Sequence, residues 1–401
     1  MSYQKPRARR MREQRWTIDK IVESHGVDFS WPMTGVTAGA AGLAIMPDII
    51  AIRNSVKKYI DISRQFARVG VKREAMARKA EASGHIVSAR DHYYEASIFY
   101  AMAQWPIHED DNEEIIGYNI KKNECYDKYM ENAPHRIERV EIPFENNSLP
   151  GLMHFPVDYK GGKLPCIVSI DGMDGFKEQL VTNYGDNLLE RGMAVLALDG
   201  PGQGECCLRK IHCTADNFTR VAKIVLDYVT SRQEINEDKI GLTGISMGSF
   251  WSTQMAASDT RFKAAAAILF CHEPGMNTIF NMAAPTFKNR YMWMAGYEDE
   301  EKFDEFARTL TLEGVGEKIR CPFLMLGGED DELSPVEYSY ALYNSIKSPK
   351  KIVVYQNDKH EIRAMQDLMT MVADWLKERL DGKPMDSEII YIDVTGREFS
   401  K

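Results

Sequence analysis

Lys239-Ile240-Gly241-Leu242-Thr243-Gly244-Ile245-Ser246-Met247-Gly248-Ser249-Phe250-Trp251 is the stretch on which the reading of this 401-residue chain turns. An apolar run, 239–243, enters the Gly-x-Ser-x-Gly pattern of 244–248, and a helical pattern over 250–257 leaves it. The five-residue pattern alone is common by chance. A strand before it and a helix after it give it chemical meaning. A serine thrust out on a strained strand-to-helix turn needs neighbours without Cβ bulk, which explains both glycines. The same turn sets the Met247 amide near a helix N-terminus, aimed where negative charge develops on a reacting oxygen. Ser246 is the candidate nucleophile and Met247 N–H a candidate oxyanion donor.

A serine hydroxyl is a weak nucleophile and needs a base held by a third group. Downstream of Ser246 the chain has only two histidines, His272 and His360. His360 follows the apolar run 352–355 and a polar turn, 356–359, at the expected start of the final helix. A loop histidine after the last strand is the candidate base. The acid belongs after the preceding strand, 323–326, where Glu329, Asp330, Asp331 and Glu332 stand in a row. Charge alone does not choose among them. Gly-x-x-Asp-x-apolar-x-Pro, read from Gly328, selects Asp331, with Asp330 as runner-up.

Upstream, apolar runs at 164–170 and 194–198 precede the serine, and 264–270 follows it. Helical patterns separate most of these runs. Short continuous apolar strands alternating with helices predict a mainly parallel, doubly wound α/β sheet covered on both faces. Residues 136–144 and 149–155 read as a hairpin about Glu145-Asn146-Asn147. The run 164–170 leads into Asp171-Gly172-Met173-Asp174-Gly175, whose Met173 amide is the candidate second oxyanion donor.

Before residue 133 no alternating strand is visible. Ile86, Ala89, Tyr93, Ala96, Tyr100 and Ala103 recur at helical steps, with an entry at Ser83-Gly84 and an exit at Pro106. The aromatics here are core residues first and a pocket lining second. The expected organisation is a helical lobe over 1–132, an α/β domain over 133–384 with an insertion near 273–318, and a tail over 385–401.

The formal charge of −9 disfavours a nucleic-acid partner. Lys5, Arg7, Arg9, Arg10, Arg12 and Arg15 form a basic start, read as a solvated terminus. Seven scattered cysteines, an odd number, suit reduced thiols in a cytoplasmic protein. No early apolar segment reads as a secretory signal, and the Gly/Ala-rich run 35–46 is too short to span a membrane. Asp199-Gly200-Pro201-Gly202-Gln203-Gly204-Glu205 follows a strand but matches neither phosphate-binding glycine pattern, and is read as loop packing beside the site. Metal-ligand spacings are missing too, so neither cofactor nor metal is expected.

Taken together, these motifs resemble the α/β-hydrolase family that includes 2,6-dihydroxypseudooxynicotine hydrolase and the fungal polyketide-shortening pigment hydrolases. The resemblance rests on Gly84-His85-Ile86-Val87-Ser88-Ala89-Arg90 with Tyr93-Tyr94 and Ala96. It rests further on Asp171-Gly172-Met173-Asp174 with Lys177-Glu178, on the 199–205 string and on the serine motif. The loop at Asp171-Gly172 departs from relatives, which commonly show two glycines there. The resemblance implies a Ser246–Asp331–His360 triad, a cap-like helical lobe, a homodimer and cleavage of a C–C bond beside a carbonyl, or of an ester. A hydrophobic, aromatic or polyketide-like small molecule is the expected substrate. His272 and Glu273 are candidate substrate contacts. An acyltransferase on the same triad, or a catalytically silent binding protein on a hydrolase scaffold, are the competing readings.

Overall fold

The computed structural model describes residues 15–181 and 185–400. Of the basic start, only Arg15 falls among them; Lys5, Arg7, Arg9, Arg10 and Arg12 lie outside the described residues. The chain forms two compact units. One runs up to Asn132 and also includes Phe280–Thr309; the other comprises Ala133–Ile279 and Leu310–Lys401.

The first unit is helical. Its helices up to residue 132 are α1 (Arg15–His25), α2 (Met33–Ala41), α3 (Met46–Ser55), α4 (Tyr59–Ala82), α5 (Ile86–Gln104) and α6 (Glu113–Met130). Gly84, at φ 73°, makes the break between α4 and α5, a conformation that costs glycine nothing. From Tyr93 to Gln104 every residue of α5 is buried, which makes it the central helix of the unit. Its aromatics are core. Two carry their hydroxyls to acids: Tyr93 donates to Glu81 at 2.7 Å and Tyr100 to Glu74 at 2.8 Å. Ile86, expected on the apolar face, is instead exposed at the helix's first turn.

The second unit is built on a ten-stranded sheet: β1 (Ile137–Phe144), β2 (Asn147–His154), β3 (Leu164–Ile170), β4 (Ala194–Leu198), β5 (Ile235–Ile245), β6 (Ala264–Ile268), β7 (Phe323–Gly328), β8 (Lys350–Tyr355), β9 (Glu388–Ile392) and β10 (Glu398–Phe399). The spatial order is β1-β2-β4-β3-β5-β6-β7-β8-β9-β10. From β4 through β9 neighbouring strands are parallel, and the pairs at either end are antiparallel. This is the α/β-hydrolase fold expected from the alternation of apolar runs and helices. Residues 385–401, expected as a tail, instead supply β9 and β10. β9 carries the run Ile389-Ile390-Tyr391-Ile392 but is only half-buried, and β10, at the sheet edge, is two residues long.

Strand β6 is Ala264-Ala265-Ala266-Ala267-Ile268, all buried, and its small side chains let covering helices approach closely. Helix α9 (Asn217–Ser231) buries Phe218, Val221, Ala222, Val225, Leu226 and Val229, the stripe expected of a helix laid on a sheet. Short helices α7 (Asn187–Glu190) and α8 (Gly204–Leu208) precede it in the chain. Helix α10 (Met247–Ser258) starts directly at the end of β5. In the first unit, α11 (Pro285–Met294) and α12 (Glu300–Ala307) come from the later segment. Helices α13 (Val336–Ser345) and α14 (Met365–Leu380) complete the second unit.

Several histidines are buried neutral, which links stability to pH. His135 and His154 share a hydrogen bond of 2.9 Å between Nε2 and Nδ1. Burial pushes His135 down to about 4 and His154 well below its ordinary value. It takes His272 and His108 to about 3. A histidine with a depressed folded pKa binds its proton more readily when unfolded, so stability is lost as pH falls below about 6.5. Asp171, raised by burial to about 7, acts in the opposite sense, as do His360 and Asp186, whose pKa values are also raised, but together they do not offset the four histidines. The urea midpoint is expected to fall steadily between pH 7 and pH 5. Replacing the pair together, His135→Phe with His154→Leu, should flatten that slope. An equally steep profile in the double variant would show that the pair is not responsible.

Candidate active site

Strand β5 delivers Ser246 to the turn before α10 with φ 55° and ψ −122°, a region that side-chain-bearing residues rarely occupy. The turn is held because the alternatives clash. A Cβ on Gly244 would lie 2.0 Å from the Gly248 carbonyl oxygen, and one on Gly248 would lie 2.5 Å from the Asp171 carbonyl oxygen. Ser246 N–H donates to the Ile268 carbonyl at 2.7 Å, which anchors the turn to the end of β6. Gly244→Ala is therefore expected to distort the turn or prevent folding; normal soluble yield with undiminished labelling of Ser246 by a serine-directed probe would contradict this packing account.

The three sequence-predicted side chains meet. Ser246 Oγ lies 2.9 Å from His360 Nε2, and His360 Nδ1 lies 2.8 Å from Asp331 Oδ2. The other carboxylate oxygen of Asp331 accepts the backbone N–H groups of Leu333 and Ser334, both at 2.9 Å. Asp331 is buried, whereas Asp330 is exposed and touches the histidine loop only through its backbone, donating to the Asp358 carbonyl. Gly328 makes room for that loop: a Cβ there would stand 2.2 Å from the carbonyl oxygens of Asp358 and Lys359. His360 does not open the final helix. It sits in a bend, and α14 begins only at Met365. Its backbone N–H donates to Glu332 at 2.8 Å. Burial opposes the charged imidazole, but Asp331, by charge and hydrogen bond, and then Glu332 and Glu361 outweigh it, so the His360 pKa is raised.

Gly172 packs against Ser246, with a position for Cβ only 3.1 Å from the Ser246 Cβ. Met173 follows it, 2% exposed, and Met247 is fully buried at the first position of α10, whose leading N–H groups have no partner within the helix. The Asp199–Glu205 loop does more than pack. Gln203 Nε2 donates to the carbonyls of both Asp171 and Gly172, at 2.7 and 2.8 Å, and so fixes the turn beside Ser246 from behind. Beneath it, Lys177 Nζ is 3.0 Å from Glu178 and 3.1 Å from Asp199, and also pairs with Glu205. Four buried charges in one cluster left no mark in a sequence in which any of them could have been solvated.

His272 and Glu273 stand at the end of β6. His272 N–H donates to Ser334 Oγ at 3.0 Å, and its Nδ1 lies 2.9 Å from Ser339 Oγ on α13. This ties β6 to the loop that carries Asp331. Glu273 accepts the Thr278 N–H at 2.8 Å, closing the following turn. Both are 7% exposed or less and engaged with protein groups. Among the described residues no group of three or more His, Cys, Asp or Glu could hold a metal ion, and no helix is long and apolar enough to cross a membrane.

A family model described as "Esterase FrsA-like" matches residues 63–381. The chain belongs to the FrsA-like esterase family. Among curated relatives, the α/β hydrolase xenA of Xenoacremonium sinensis is 28% identical over 242 residues, 58% of this chain and 56% of the relative. The 20-hydroxy-prefusarin hydrolase FUS2 of Gibberella moniliformis is 26% identical over 251 residues, 60% of this chain and 58% of the relative. The matches thus span under three-fifths of these relatives' own length. The solved 2,6-dihydroxy-pseudo-oxynicotine hydrolase superposes with a TM-score of 0.74 at 22% identity, covering 89% of this chain and 98% of that one. This likeness shows a shared fold. As an FrsA-like esterase, the chain is related to the hydrolases that its sequence motifs resembled.

Proposed function

We propose that the chain is a serine hydrolase in which Ser246, His360 and Asp331 act through an acyl-enzyme. The observation that carries the reading is the Ser246–His360–Asp331 relay, at 2.9 and 2.8 Å, on a turn whose serine has positive φ. Ser246 Oγ attacks a carbonyl carbon while His360 Nε2 takes the hydroxyl proton. Charge on the carbonyl oxygen is met by the amides of Met247 and Met173. The tetrahedral adduct collapses, and His360 returns the proton to the departing group: an alkoxide from an ester, a carbanion or enolate from a C–C bond. Water, deprotonated by the same imidazole, then releases the acid and restores Ser246. Asp331 stays ionised and holds the imidazole's tautomer.

The substrate in this reading is a hydrophobic, aromatic or polyketide-like ketone or ester. The kinship with xenA and the prefusarin hydrolase supports that choice. A homodimer belongs to the same proposal, as does a cytoplasmic setting, supported by seven buried cysteines with no disulfide among them. His272 and Glu273 stay in it as substrate contacts only so far as a bound substrate displaces their present partners. The test is labelling by a fluorophosphonate, with products from aryl diketones and aryl esters identified by mass spectrometry. Because the base must be neutral and its pKa is raised, labelling should increase with pH through a midpoint above 6.5. A wild-type protein that never labels would end the proposal.

A further inference from the structure

The turn that holds the Met173 amide begins with a buried acid that the proposed reaction leaves unused. Asp171 is only 9% exposed. Its Oδ1 accepts the Gly172 N–H at 2.7 Å, and its Oδ2 accepts Gln179 Nε2 at 3.3 Å. Its carboxylate lies against Gly175, where a Cβ would come within 1.9 Å of Oδ2. Gly172, the residue it clamps, is the one packed on Ser246. Among the described residues no cation forms an ion pair with it, and the charges that act on it, Asp199 and Asp174, repel. Lys177, the nearest cation of the cluster, is committed to Asp199, Glu178 and Glu205. A lone buried carboxylate is costly, so a fold that keeps one beside its reactive serine calls for a reason.

We infer that Asp171 is a positioning residue: its carboxylate clamps the oxyanion turn against Ser246, and the clamp holds only while that carboxylate is charged. The inference rests on the proposed serine-hydrolase reading. A charged carboxylate accepts from both Gly172 and Gln179. Once protonated, one oxygen becomes a donor, and the Gln179 N–H then faces another hydrogen. Access for the proton exists. A cavity of about 40 Å³ lies beside Asp171, lined also by Ser169, Asn187, Thr243, Ile245 and Leu188. That is room for water, and the Thr243 hydroxyl there is buried without a protein partner. The polar residues that share this cavity with Asp171 are Ser169 on β3, Thr243 on β5 and Asn187 on α7, while Gln179, Asp199 and Asp174 act on its carboxylate. Burial pushes its pKa up, its two hydrogen bonds push it down, and the result is about 7. The turn would be released on acidification, as His360, whose pKa is raised, also gains its proton.

The test is the rate of fluorophosphonate labelling of the full chain between pH 5.5 and 9. Wild-type protein should lose rate on the acid side more steeply than one proton allows, with a logarithmic slope approaching two, because His360 and Asp171 are both required unprotonated. Asp171→Asn keeps an acceptor for Gly172 but presents N–H to Gln179, and so fixes the released state at every pH. Its plateau should be lower by about tenfold, the scale of a small misplacement of an oxyanion donor, and its acid limb should fall with a slope of one. A merely structural residue would lower the rate without changing the slope. A variant within twofold of wild type, or one that keeps the two-proton limb, would overturn the inference while leaving the triad standing. If Asp171→Asn does not fold, Gln179→Met decides. It removes a donor that favours the charged form, so the acid limb should move to higher pH, and an unmoved limb would count against the clamp. A wild-type protein that does not label at all removes the parent reading, and this inference with it.

Discussion

Ser246→Ala is expected to abolish fluorophosphonate labelling and to lower hydrolysis of an activated aryl ester by about 10⁴- to 10⁶-fold. The size follows from what remains. With the nucleophile gone, His360 and Asp331 still face each other at 2.8 Å but have no hydroxyl to activate, and catalysis falls to what binding and oxyanion donors give a stray water. Folding should not change. Alanine at φ 55° carries the same Cβ as serine, so the backbone strain is neither relieved nor deepened. The unfolding free energy from a urea titration should therefore match wild type within about 0.5 kcal/mol. His360→Ala should cost nearly as much as Ser246→Ala, and the pair of changes little more than either, because the relay acts as a unit. Labelling that survives Ser246→Ala would place the nucleophile elsewhere.

Lys177→Met should give the largest loss of stability. The ammonium is 1% exposed and lies among Glu178, Asp199 and Glu205, whose carboxylates are 10% exposed or less. Removing it leaves three like charges buried together, with Arg209 reaching Glu205 at 3.2 Å. Breaking a buried ion pair from one side typically costs about 3–5 kcal/mol, since the surviving charge is left uncompensated. Here more than one is left. The urea midpoint should drop accordingly, and a loss under about 1 kcal/mol would mean that the cluster relaxes or takes up protons. The damage should also reach the chemistry. Lys177 Nζ pairs with Asp199 and Glu205, the two ends of the loop that presents Gln203 to the carbonyls behind Ser246.

What could be read beforehand, and what could not, divides by the range of the forces involved. Parallel strands buried on both faces must be continuously apolar, so 164–170 and 194–198 stood out at full length and coincide with β3 and β4. Ser246 was legible because a strained turn leaves a local signature of glycines. Asp331 could be singled out of four neighbouring acids only by its spacing from Gly328 and to Pro335; the hydrogen bonds that hold it come from the backbone of Leu333 and Ser334, two and three residues on. By contrast, the Lys177 cluster gathers residues up to 28 positions apart, and charge in a sequence carries no mark of burial. Asp171 was passed over in favour of the Met173 amide two residues later, because nothing local says that its carboxylate points inward. β9 does carry an apolar run, Ile389-Ile390-Tyr391-Ile392, set in an otherwise polar C-terminal stretch, whereas β10, with two residues, is too short to leave a pattern.

The helical unit draws on two stretches of chain, the second being Phe280–Thr309. That later stretch is no accessory. Tyr291, Met294 and Phe303 are wholly buried, Arg290 reaches the Trp105 carbonyl, and Trp293 donates to Asp110 at 2.8 Å. On the ribosome, the first 132 residues therefore emerge long before the segment that finishes their interior. They must wait with apolar surface uncovered while most of the sheet is still being made. The helical unit, begun before the sheet in the order of synthesis, is thus completed only after most of the sheet's strands.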